Sequence, residues 1–89
     1  MKNMTISDLQ GMALQATQAA SQGRNMQALK IIRAYLQARS MVARNGVNTS
    51  KLNGVTRSMV RLASELTNMS HYSKVSETCD TIQLAVGYY

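Results

Sequence analysis

Leu52, Val55, Met59, Leu62, Leu66 and Met69 step along the chain by 3, 4, 3, 4 and 3 residues. That order places six apolar side chains on one seam of an α-helix, the a and d positions of a heptad. After a slip of phase near Asn68 to Ser70, Tyr72, Val75, Cys79, Ile82, Val86 and Tyr89 resume the same 3, 4, 3, 4, 3 stepping. A strand alternates its faces at every residue and cannot present this pattern. The second half of the chain is therefore committed to helix. The slip is read as a break between two helices, capped by Asn68 or Ser70.

The first half follows the same rule. Ile6, Leu9, Ala13, Ala16 and Ala20 step by 3, 4, 3 and 4 and predict a helix over about 7–22. Ser7 with Gln10 matches a capping box, and Thr5 with Asp8 competes as the start. Gly23 fits a helix C-cap and Asn25 an N-cap for a second helix over about 26–44. There Ala28, Leu29, Ile31, Ile32, Tyr35, Leu36, Val42 and Ala43 fill a wide arc, as expected of a helix touching two neighbours. Residues 45–51 open a turn-rich loop, and helices over about 52–68 and 70–86 follow. No Pro, Trp or Phe interrupts these segments, and the apolar positions are mostly Ala, Leu and Met, which favour helix over sheet.

The expected fold is thus one all-α domain over 1–89: a small bundle of three to four helices, with an antiparallel helical hairpin followed by heptad-patterned C-terminal helices. A chain of 89 residues buries a limited core, and a narrow seam invites a partner helix. Leu52, Val55, Met59, Leu62, Leu66, Tyr72 and Val75 are accordingly expected to form an oligomer or partner interface.

Charge is distributed unevenly. Arg24, Lys30, Arg33, Arg39, Arg44, Lys51, Arg57 and Arg61 lie between residues 24 and 61 with no Asp or Glu among them, giving +8. The rest of the chain holds two lysines against four acids, giving −2. On a helical wheel of ~100° per residue, Lys30, Arg33 and Arg44 form one stripe opposite the apolar arc, whereas Arg39 falls inside the arc. Arg39 therefore either snorkels out at the helix end or is held at an interface, reaching a phosphate or carboxylate. Arg57 and Arg61 sit four residues apart, a mild repulsion that Glu65, four further on, offsets in part. Crowded cations of this kind suit a polyanion, so Lys30, Arg33, Arg39, Arg44, Lys51, Arg57 and Arg61 are expected to bind nucleic-acid phosphate.

Other constellations are weak. Ala38 to Arg57 can be laid on a helix-turn-helix, but Asn45 stands where an apolar residue should close the first helix and Gly54 lies inside the recognition helix. Recognition of backbone and shape, which suits RNA better than sequence-specific DNA, is left. His71 is the only His and Cys79 the only Cys, so no metal or cofactor site and no catalytic pair is expected, and Cys79 is read as a small buried hydrophobe. Tyr35 and Tyr72 are expected in the core. Met12, Met26, Met41, Met59 and Met69 are read mainly as core, with an adaptable helix-binding groove as the other reading. No apolar run spans a membrane and no secretory leader is seen, so a cytoplasmic setting is expected.

The expected function is a small basic non-enzymatic accessory or regulatory protein that binds nucleic acid, RNA favoured over DNA. The competing expectation is a helical inhibitor or adaptor, for example of a nuclease or toxin and of the kind phages or plasmids encode, that docks on a partner protein, with or without RNA.

Overall fold

The structure, a computed structural model, describes residues 4–87. Four α-helices, α1 (Ile6–Ser21), α2 (Asn25–Arg44), α3 (Asn53–Thr67) and α4 (Val75–Ala85), are joined by two 3-10 segments, Ser50–Leu52 and Met69–Lys74. The described residues contain no strand, and the all-α bundle follows the sequence pattern. Tyr88 and Tyr89, the latter closing the second seam, lie outside the described residues.

Helix ends show which local signals prevail. Thr5 and Asp8 form the capping box of α1: Asp8 N–H donates to Thr5 Oγ1 at 3.1 Å and Thr5 N–H donates to Asp8 Oδ2 at 2.9 Å. The competing Ser7–Gln10 box is not used, because Ile6 already lies within the helix and buries part of its side chain. At the other end Gly23 turns the chain with φ at 76°, a left-handed conformation that costs glycine little. Asn25 does not cap α2 with its side chain. It is the first residue of the helix, and its Oδ1 accepts instead from Tyr72 Oη at 3.3 Å, tying α2 to the segment that precedes α4.

The α1–α2 hairpin packs closely because α1 offers alanines: Ala13, Ala16, Ala19 and Ala20 are all buried. Helix α4 lies against α1, and α3 packs on α4 and α2. Ile32 and Tyr35 of α2, Met59 and Leu62 of α3 and Ile82 of α4 form the centre with Leu9 of α1. Tyr35 is the largest fully buried side chain, and its hydroxyl pairs with Thr56 Oγ1 at 2.9 Å, so its polar end is satisfied across the α2–α3 contact. Burial raises the Tyr35 phenol above its ordinary pKa, outweighing the bond to Thr56 and the charge of Arg39, both of which lower it. Cys79 is a buried residue with its thiol toward the Thr17 carbonyl at 3.8 Å, and burial pushes its pKa up.

This single-chain core takes up the heptad seam. Leu52, Val55, Met59, Leu62, Leu66 and Val75 are buried within one chain, and of the residues expected to meet a partner only Tyr72 stays exposed. The seam ends one position early, since Met69 is 88 % exposed. The reason is the break after α3. Asn68 leaves helical geometry (φ −120°, ψ 107°), and its Oδ1 accepts from Ser70 N–H at 3.1 Å and Ser70 Oγ at 2.7 Å. The expected capped break is present, but residues 69–74 then form a 3-10 segment, and α4 starts at Val75 instead of residue 70. That segment carries Tyr72 to the surface and not into the core expected for it.

Candidate nucleic-acid interface

Seven of the eight cations between residues 24 and 61 are exposed; Arg39 is half-buried. The structure divides them by direction. Lys30, Arg33 and Arg44 occupy the outer side of α2, opposite the buried line of Ala28, Ile32, Tyr35 and Val42. Met26 and Met41 share this outer side and are 74 % and 57 % exposed. The core reading of these two methionines and of Met69 is therefore corrected: of the five methionines considered, Met59 alone is fully buried, and Met12 packs partly against the core.

Arg39 points the other way, toward α3. Its Nη2 donates to Asn53 Oδ1 at 2.8 Å, while its Nε is buried without a hydrogen-bond partner. The side chain thus neither snorkels freely nor meets a carboxylate; a neutral amide on the first turn of α3 holds it. Asn53, Arg57 and Arg61 follow at four-residue intervals, so they stand one above another on one side of α3, ~6 Å apart per step. Arg39, Arg57 and Arg61 consequently form a ridge beginning at the α2–α3 contact. Lys51 precedes it in the 3-10 turn. The turn that brings α3 back against α2 depends on Gly46, which follows the end of α2 with φ at 88°. Val47 N–H then donates to the Val42 carbonyl at 3.3 Å and Ser50 N–H to Asn48 Oδ1 at 3.0 Å.

Glu65 does not play the part expected of it. Instead of neutralising Arg61 on the helix surface it is turned inward, 4 % exposed, and its Oε1 has no hydrogen-bond partner. It lies on the wall of a cleft of about 450 Å³ between α3, the 3-10 segment and α4, to which Arg61, His71, Lys74 and Glu77 also contribute. Sequence reasoning missed this cleft. One signal was available: Glu65 falls three residues after Leu62 and directly before Leu66, on the flank of the apolar seam. The role of Asn53 carried no signal, because the register between α2 and α3 sets it.

No protein-family model matches the chain, and no curated protein or solved structure is similar to it at a significant level. The fold and the charged surface are what remain to argue from. Among the described residues, no helix is long and apolar enough to cross a membrane.

Proposed function

We propose that the chain is a non-enzymatic binding protein for nucleic acid, RNA in preference to DNA, that captures the phosphate backbone electrostatically. The observation carrying this reading is the cationic ridge of Arg39, Arg57 and Arg61, in a stretch of eight cations without one acid. Arg39 is already oriented by Asn53, so less side-chain freedom is lost when a phosphate binds its remaining N–H groups. The stripe of Lys30, Arg33 and Arg44 on the outer side of α2 adds a second line of contacts. The exposed sides of α2 and α3 present Arg and Lys more than base-reading amides, which favours recognition of backbone and shape over base edges.

Fluorescence anisotropy with an RNA hairpin and a DNA duplex, between about 50 and 200 mM salt, tests this reading. Affinity should fall linearly on a log–log plot, and the RNA should bind more tightly. Arg57→Ala with Arg61→Ala should weaken binding and reduce the slope by about 1–2, with helicity unchanged. Binding that is indifferent to salt and to this double substitution would reject the ridge as the contact.

A second reading, docking on a partner protein, has one observation in its favour. Met26 and Met41 are exposed on the same side of α2 as Lys30, Arg33 and Arg44. Adaptable apolar side chains beside cations suit an acidic amphipathic partner surface. A complex that survives high salt and is lost in Met26→Ser with Met41→Ser would favour it.

A further inference from the structure

The cleft below Arg61 contains a group that the core does not satisfy. Glu65 is more than nine-tenths buried, and no donor reaches its Oε1. A carboxylate withdrawn from water without hydrogen bonds is costly, and a ligand bearing N–H donors would relieve that cost. Around it the cleft is not apolar. Arg61 and Lys74 stand exposed along it, His71 adds a ring, and Thr78 contributes to the lining from α4. The site therefore asks for two features in one ligand: N–H donors directed at Glu65, and an anionic group for Arg61 and Lys74. A simple amine has the first only, and would meet the two cations without a counter-charge. Inorganic phosphate has the second only.

A nucleotide has both. Its bases differ in what they would show a buried carboxylate. Guanine presents adjacent ring and exocyclic N–H donors, which a carboxylate accepts in parallel. Uracil flanks its single N–H with two carbonyl oxygens, which a carboxylate repels. The volume of about 450 Å³ is sufficient for one nucleotide unit. Arg61 belongs both to the ridge and to the cleft, so a strand lying on Arg57 and Arg61 would place an unstacked base at the entrance.

We infer that this cleft is a guanine-nucleotide subsite, in which Glu65 accepts from the base and Arg61 and Lys74 hold the phosphate. The inference rests on the nucleic-acid reading of the ridge, and it assigns a base preference to a surface that otherwise reads phosphate alone.

Guanosine monophosphate, uridine monophosphate and ribose phosphate are titrated separately into the ¹⁵N-labelled protein at ~150 mM salt, up to about 1 mM ligand. Guanosine monophosphate should shift the amides of Glu65, His71, Lys74 and Thr78, and bind about tenfold more tightly than the uridine compound. Glu65→Gln, which exchanges one acceptor oxygen for an amide donor, should remove that preference while leaving salt-dependent RNA binding by the ridge in place. Lys74→Ala, at an exposed position, should weaken all three ligands alike. Equal binding of all three by the unaltered protein, or no shift around Glu65 at about 1 mM, would overturn the subsite. Either result is read from the unaltered chain and does not require the Glu65 variant to fold. RNA binding that persists while the mononucleotides fail would leave the ridge standing. Loss of RNA binding with retained guanosine binding would reject the ridge instead.

Discussion

Replacing Leu62 by Ala tests whether the heptad seam belongs to a single chain. Leu62 is fully buried on α3, among Met59 and other core side chains. The substitution removes three carbons from that core. Transfer alone costs about 2.4 kcal/mol, and incomplete collapse of the cavity brings the loss to about 3–4 kcal/mol. A domain of this length has a total stability of about 4–13 kcal/mol, so the loss is a large fraction of it. Urea denaturation followed by circular dichroism should show a midpoint lowered by about 2–3 M, at a slope of about 1.5 kcal/mol/M. The same assay separates a single-chain core from a shared one. If α3 packs only within its own chain, the midpoint of the unaltered protein is independent of concentration. If the seam were completed by a second chain, a hundredfold rise in concentration would add about 2.7 kcal/mol and move the midpoint up by nearly 2 M. A Leu62→Ala loss below about 1 kcal/mol, or a concentration-dependent midpoint, would refute the assignment of this seam to an internal core.

Two further outcomes follow from the backbone and the buried phenol. Gly46→Ala should lower stability by about 1 kcal/mol, because its φ of 88° strains any L side chain although nothing lies within 4 Å of the added carbon. Gly11→Ala in α1, also with open space, should raise stability by a similar amount, and thermal melting that gives both changes the same sign would contradict the conformational argument. Tyr35 is raised in the folded state from its ordinary value of 10.0, so the fold holds its proton more tightly than the unfolded chain does. Its contribution is full below pH 10 and is lost as pH rises through the higher folded value. Tyr35→Phe should cost about 1 kcal/mol near neutrality, through the lost bond to Thr56, and flatten the alkaline fall in melting temperature. An unchanged alkaline fall would place its origin elsewhere.

The helices were legible because their apolar residues recur at helical spacing. The loop after Arg44 was legible from its Asn and Gly residues, and the break after α3 from Asn68. Termini were less so: Thr5–Asp8 and Ser7–Gln10 satisfy the same local rule, and only the partial burial of Ile6 inside the helix shows which one closes it. The cations were legible as a set of positions but not as a surface. On a wheel, Arg39 lies on the core side of α2, and nothing local says that Asn53 will meet it there. Glu65 escapes sequence reasoning for a related reason. Its spacing from Arg61 permits a surface pair, whereas the packing of α4 and the 3-10 segment against α3 closes over it.

The division follows the range of the forces involved. Periodicity, helix propensity and caps act within a few residues, so the sequence by itself determined the four helices, the all-α class and the concentration of +8 between residues 24 and 61. Which apolar faces meet depends on the loops and on how alanines and larger side chains pack between helices distant in sequence. Tertiary structure alone therefore decided that the seam is buried inside one chain, that the cations part into an α2 stripe and an Arg39–Arg57–Arg61 ridge, and that Glu65 is buried in a cleft with no internal donor to its Oε1.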